Sequence, residues 1–308
     1  MDLLKQPETR RLLQSAQVAL PLTEDPLGDL AAGLRMERRA MEEGLALLQR
    51  EGAVTGFRGE PNPHLAGARE TLVQSDAPPT RSPGEIIRWT GQGSKDQWCR
   101  SAMRLQESPD GASSRFLKVG FLLSFEDGPE RLLDAGGERS LLTQGEPMEM
   151  PPLPGDAAKL VEALVHPVRF DPSADLWKQI AGAAEMERAG VRPAMRYLLQ
   201  AGVIRRFALA LSPAALDWQG CGLACWDFQE VGRHLLPDAG RALAGLRGTG
   251  DVVQRETELH ALFLGREPGI GETAAREVAR QWGRPLARWD SLQIRTERAT
   301  PGPRSAPG

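Results

Sequence analysis

At 308 residues, with 41% apolar and 26% charged side chains, the chain has the make-up of an ordinary globular protein, long enough for two medium domains. A net charge of −3 and an isoelectric point near 5.9 argue against a dedicated nucleic-acid binder, which usually carries a basic balance. Three cysteines make no disulfide framework, no run of 18 apolar residues offers a membrane span, and no secretory leader precedes the first polar helix, so a cytoplasmic protein is expected.

In chain order, Leu13, Ala16 and Leu20 mark a first helix that Pro21 ends. Leu27, Leu30, Ala31 and Leu34 mark a second, with Asp25 as its cap and Pro26 at its first position. Met41, Leu45 and Leu48 mark a third that stops near Gly52, and "AVTGF" follows as a strand. Three short helices and a strand are the plan of a winged helix-turn-helix, placed at 1–63. Residues 64–148 then read as a degenerate ferredoxin-like domain: "ARETLVQSD", a weak helix around 83–90, "SAMRLQES", "RFLKVGFLLSF" and a stub. A Pro-rich linker follows at 149–155.

The plan then begins again. "PLTEDPLGDLA" (21–31) is answered by "PVRFDPSADLW" (167–177), "MERR" (36–39) by "MERA" (186–189), and "EGAVTGFRGEPNP" (51–63) by "AGVIRRFALALSP" (201–213). The offset grows from 146 to 150, which places a four-residue insertion between Pro172 and Met186. Ordered landmarks of this kind mark a duplicated module. The second winged helix occupies 156–213, with Leu160, Leu164, Leu176, Ile180, Met195 and Leu199 as its apolar stripes. Residues 214–298 form the second ferredoxin-like domain. Its strand "CGLACWDF" is followed by a helix broken at Pro237, then "DVVQRET", "LHALFLG", the helix "IGETAAREVARQWG" and a last strand "ARWDSLQIRTE". That order is βαββαβ. Residues 299–308 read as a disordered tail. The fold expected is therefore α+β, a tandem duplication of winged helix-turn-helix plus ferredoxin-like domain.

This architecture resembles the Lrp/AsnC group. The phrases "LPLTEDPLGDLA", "LLQREGAV", "LLQAGVIRRFALALSPAAL" and "ALFLGRE" resemble, more specifically, the siroheme decarboxylases, among which fused pairs of modules act in haem d1 synthesis. The resemblance implies removal of carboxyl groups, as carbon dioxide, from siroheme acetate side chains. The tetrapyrrole is then the substrate, with no further cofactor. In the residues themselves no histidine stands at metal-ligand spacing from another and Cys221 and Cys225 lack further cysteines nearby, so no metal site is expected. Homologous decarboxylase subunits are possible partners; DNA and membranes are not. The family's histidine and tyrosine after the second strand are missing here: Gln254 stands at or near the histidine's place, and Tyr197 lies in a helix.

The residues themselves supply the candidates. His260 is the only histidine on a strand expected to line a tetrapyrrole slot, as iron ligand, proton donor, or a half-buried strand histidine without a role. With Gln254 it forms the candidate catalytic set. Arg255, Arg100 and Arg104, on or beside the second strands, suit acidic side chains, or are solvated surface arginines. Trp98 and Trp226 offer macrocycle stacking or core packing. Cys221 and Cys225 share a strand face and read as small buried residues. His64 decorates a loop, His166 ends a helix, and His234 sits on a helix without a visible partner.

A Lrp-like regulator or non-catalytic ligand-binding protein is the alternative. A recognition helix needs a positive polar face. The third helix of the first module balances Arg38 and Arg39 against Glu37, Glu42 and Glu43. That of the second carries Arg188, Arg192 and Arg196, but Pro193 is expected to interrupt it.

Overall fold

The computed structural model describes residues 6–62, 68–75, 85–92, 97–104, 114–118, 151–164, 166–246 and 248–296, with backbone alone for the strands between 68 and 118 and for 294–296. Helix and sheet are mixed in an α+β chain that divides into two compact units, one drawn from residues up to Asn62 with 151–216, the other from 68–118 with 217–296. No described helix is long and apolar enough to cross a membrane.

In the first unit, α1 (Pro7–Ala16), α2 (Pro26–Leu34), α3 (Arg38–Arg50) and β1 (Val54–Pro61) are matched by α4 (Gly155–Leu164), α5 (Leu176–Ala183), α6 (Arg188–Gln200) and β6 (Ile204–Leu211). The same local devices recur 150 residues apart. Asp25 caps α2 by accepting from the Gly28 amide at 3.1 Å, and Asp175 caps α5 by accepting from the Lys178 amide at 3.0 Å. Arg38 and Arg188 each reach back to that capping carboxylate. Arg35 (φ 54°) and Glu185 (φ 50°) are left-handed just beyond α2 and α5. Gly52 (φ 76°) and Gly202 (φ 69°) end α3 and α6, where the left-handed turn lets the next amide return to Leu48 or Leu198 at 2.8 and 2.9 Å.

These caps correct the position of the insertion. The offset is already 150 at Asp175, so the extra residues lie between Pro167 and Asp175. There Asp171 accepts from the Ser173 amide and hydroxyl, at 2.9 and 2.7 Å, and folds them into a local turn. Leu198, not Leu199, carries the buried stripe of α6. That helix also runs unbroken through Pro193, held near its start by buried Val191, Ala194 and Met195. Asp175→Ala and Asp25→Ala are each expected to cost about 1 kcal/mol of stability. Urea midpoints of the two variants check this, and a loss at only one of them would break the correspondence.

β1 and β6 pair antiparallel, so the two recurring phrases lie against each other. Arg58 faces Ala208, its own counterpart 150 residues on, and the flanking pairs Phe57–Leu209 and Gly59–Phe207 exchange under that offset. The ribbon is thus locally two-fold. Each strand also bonds across to the other half: Phe57 exchanges both backbone bonds with Val168, and Phe207 accepts from the Leu20 amide at 2.8 Å. Phe57 meets Phe170 and Phe207 in tilted contacts and Trp177 stacks on Phe207 at this centre, with Phe57 and Phe207 almost wholly buried.

The second unit holds two sheets. The first half supplies β2 (Ala68–Ser75), β3 (Glu85–Gln92), β4 (Gln97–Arg104) and β5 (Ser114–Lys118). The second half supplies β7 (Gly222–Asp227), α7 (Gln229–Gly232), α8 (Leu236–Gly245), β8 (Thr249–Arg255), β9 (Glu258–Phe263), α9 (Ile270–Trp282), β10 (Arg288–Ser291) and β11 (Gln293–Thr296). The sheet orders are β10-β7-β9-β8-β5 and β11-β3-β4-β2, antiparallel throughout. Each half therefore lends one strand to the other's sheet: β5 pairs with β8, and β11 with β3.

Three expectations change here. Residues 85–92 form the strand β3, since "EIIRWT" is rich in β-branched and aromatic residues and is paired on both sides. The last strand is two strands in different sheets, parted at Leu292, whose amide bonds the Cys221 carbonyl at 2.9 Å. The helical stretch does break near Pro237, but just ahead of it: α7 and a 3-10 turn end at Leu235, and Pro237 opens the new helix from the first turn of α8. The buried cluster of Trp226, Phe228, Leu236, Leu243, Leu259, Phe263, Ala275 and Val278 lies where α8 and α9 cover one face of the five-stranded sheet. Gly222 is required there, because a Cβ would lie 2.2 Å from the Trp289 ring.

Candidate functional site

Antiparallel pairing puts directly opposed residues on one face of a sheet, and the register of the five-stranded sheet sorts its chemistry accordingly. On the helix-covered face lie Ala224, Trp226, Leu259, Ala261 and Val252, with Gln254 opposite Leu259. On the other face one row runs Arg288, Cys225, His260, Val253 across β10, β7, β9 and β8. The next row runs Asp227, Glu258, Arg255. Leu223 and Leu262 continue this face on the other side and are buried. The face thus changes from apolar to ionic at the row that holds His260.

His260 is 4% exposed. Its Nε2 lies 3.0 Å from Oε2 of Glu258 and 3.9 Å from Sγ of Cys225. A carboxylate only accepts, so Nε2 donates to Glu258. Burial pushes the imidazole below its ordinary pKa; the Glu258 carboxylate pulls it upward, while Arg255 and Arg288 press it down. The neutral ring that results is a lone-pair donor. Burial, and then the Glu258 carboxylate, push the Cys225 thiol up to about 12, and burial pushes Cys221 up to about 11. Both are inert as free nucleophiles. Asp227 accepts from the Gln229 amide at 2.8 Å and from Thr257 at 3.2 Å, while Arg288 and Asp290 pair at 2.6 Å.

Of the residues singled out in the sequence, His260 and Arg255 share this face and Gln254 does not. A one-residue step along β8 turns its side chain toward the helices, where its buried Oε1 has no hydrogen-bond partner among the described residues. Arg100, Arg104 and Trp98 lie on β4 of the four-stranded sheet. By strand order β4 corresponds to β9, so these are third-strand positions and not second-strand ones like Arg255. Trp226 packs between Phe263 and Trp282, at 6.2 and 5.5 Å. His234 is exposed in a 3-10 turn, His166 is half-buried beyond α4, and His64 lies outside the described residues. Cys225, Glu258 and Arg288 went unread as partners of His260. The spacing of "ELH" puts Glu258 and His260 on one face, but the pairing of β7 with β9 is non-local and leaves no mark in spacing.

No protein-family model and no curated protein matches the sequence. Over nearly its whole length, however, the chain superposes on solved structures of the siroheme decarboxylase NirDL. One covers 94% of this chain and 91% of that one, with a TM-score of 0.55 at 15% identity. Another, of NirDL in co-complex with an iron-uroporphyrin III analogue, has the same coverage, a TM-score of 0.52 and 16% identity. The fold is that of NirDL. At this identity the likeness is one of backbone alone, so the chemistry of the site rests on this chain's own residues.

Proposed function

We propose that this chain is a siroheme-decarboxylase-type protein of haem d1 or alternative haem synthesis, a divergent fused member of the Lrp/AsnC-like group. It binds siroheme or a related tetrapyrrole and acts, by itself or with a homologous subunit, in removing acetate carboxyl groups as carbon dioxide. The observation that carries this reading is the match to NirDL across both halves, with neither half left over. It is supported by the recurrence of caps and turns at an offset of 150, and by the order β10-β7-β9-β8, which is the 4-1-3-2 order of a ferredoxin-like sheet. The chain is accordingly read as a tandem winged helix-turn-helix and ferredoxin-like protein, located in the cytoplasm.

In this reading the ionic end of the β7–β9–β8 face receives the acidic substrate. Arg255, with Arg288, offers forked hydrogen bonds to peripheral carboxylates, and Arg100, Arg104 and Trp98 are further candidates on the companion sheet. His260 is the iron ligand or the proton donor to the carbon left behind. Gln254, facing the helices, acts on the site only through the sheet.

A DNA-binding regulator is the weaker reading, because most arginines in the first turns of the third helices are paired with carboxylates of the protein. Arg38 is bound to Asp25 and Glu42, Arg39 to Glu43, Arg188 to Asp175 and Glu24, and Arg192 to Glu24. Anaerobic titration with siroheme is the test. A Soret shift with loss of carbon dioxide by mass is expected from the native chain. His260→Ala is expected to abolish the shift if the ring holds iron, or to keep the shift and stop turnover if it delivers the proton. A native chain giving neither shift nor mass loss ends the proposal, and a promoter-specific DNA complex with steep salt dependence would put the regulator in its place.

A further inference from the structure

From the meeting of Cys225, Glu258 and His260 on one sheet face, we infer a binding site for a divalent transition metal of the zinc class. The ligand atoms of the three residues lie within 4.8 Å of one another, and they are the only such group among the described residues. The thiol and the carboxylate both approach the same ring nitrogen, Nε2, at 3.9 and 3.0 Å. Donors held at ordinary zinc distances around a tetrahedral centre stand roughly 3.3–3.6 Å apart. The observed separations bracket that range, so side-chain rotations alone bring the three atoms onto one ion.

The backbone fixes the arrangement. Cys225 and His260 are opposed across β7 and β9, and Glu258 is two residues from His260 on the same face. Two ligands are therefore held by regular strands, with the ring and thiol almost wholly buried. The third is the gate: the Glu258 side chain is 45% exposed, which gives an ion a way in. Thiolate, imidazole and carboxylate together suit zinc better than magnesium or calcium, which take oxygen ligands. Three protein ligands leave a fourth position for water or a carboxylate of a bound molecule. On binding, the Cys225 thiol releases its proton to solvent, the imidazole proton moves from Nε2 to Nδ1, and the Glu258 carboxylate enters unchanged. No electron is transferred.

The inference does not depend on the tetrapyrrole reading, and its test contains no tetrapyrrole. The full chain, stripped with chelator, is titrated with Zn²⁺ and, separately, with Co²⁺. One ion per chain is expected, with a thiolate-to-cobalt charge-transfer band and the visible bands of a four-coordinate site. Cys225→Ser is expected to remove the charge-transfer band. Glu258→Gln, at a half-exposed position, is expected to keep the fold and weaken zinc binding by at least the roughly 10–100-fold that loss of a supporting residue costs. Cys221→Ser and Cys99→Ser are expected to change neither. Absence of the band in the native chain, or its survival in Cys225→Ser, overturns the site. So does zinc affinity unmoved by Glu258→Gln. Failure of the siroheme titration in metal-free protein, by contrast, leaves these results standing, since it bears on the substrate alone. If both hold, Nε2 cannot serve both at once, and zinc is expected to suppress the His260-dependent Soret shift.

Discussion

Glu60→Gln is expected to destabilise the ribbon-bearing unit by about 3–5 kcal/mol, among the larger losses a single substitution brings to this chain. Glu60 and Arg206 stand directly opposite each other in the β1–β6 register and form a buried ion pair through Arg206 Nε. Arg205 lies 3.6 Å from the other carboxylate oxygen, and Arg206 also donates to the Gln17 carbonyl at 3.0 Å. The two guanidinium side chains are only 12% and 9% exposed, so removing the carboxylate strands positive charge in the interior. Replacing Glu60 and Arg206 together by methionine is expected to cost less than Glu60→Gln, because the more deeply buried guanidinium then leaves with the carboxylate and only Arg205 loses a charged partner.

Acid sharpens the same test. Burial works to raise the Glu60 pKa, but Arg206, Arg205 and Arg58 overcome it and hold the carboxyl well below the usual carboxylate range. A depressed folded-state pKa means that the stabilisation is complete above the unfolded value, about 4.3, and is lost as pH falls below it. Urea midpoints of the native chain are therefore expected to fall through the acid range, and those of Glu60→Gln to fall less. Parallel curves would show that Glu60 is not the titrating group.

The second large effect concerns chain connectivity. If the chain is cut in the Pro-rich segment near residue 150, co-expressed halves are expected to assemble into a stable one-to-one complex. Either half expressed alone is expected to lose its fold or to pair with itself. The reason is topological. β1 has β6 as its ribbon partner, β5 completes the sheet of β8, and β11 completes the sheet of β3. A lone first half would leave the edges of β1 and β3 unpaired, and unpaired edges recruit other strands. Size-exclusion mass and circular dichroism of the separate and mixed halves decide the matter. A monomeric, fully folded single half would show that the exchanged strands are dispensable.

How much of this was legible in the sequence differs from element to element. Asp25, Pro26, Gly52 and Gly202 announced caps and stops because capping and left-handed turns are settled by residues three or four apart. The buried stripes of α1 to α3 followed from helical periodicity, and the recurrence at 150 residues from a handful of such local landmarks. The segment 85–92 is a strand and not the weak helix its local pattern suggests: β4 follows it as a close antiparallel partner, but its other neighbour, β11, comes from the far end of the chain and leaves no local mark. "ARWDSLQIRTE" read as one strand for the same reason: nothing local says that Leu292 marks a change of sheet.

The site divides along the same line. Alternation along β9 set Glu258 and His260 on one face, and alternation along β8 set Gln254 and Arg255 on opposite ones. Those are properties of the extended backbone and need no fold. Which strands would meet was decided only by tertiary structure. It brought Cys225 to His260 across 35 residues and Glu60 to Arg206 across 146, because burying two-sided sheets and a shared ribbon required those pairings. Local chemistry wrote the elements and their faces; long-range burial chose the partners that give His260 and Arg206 their chemistry.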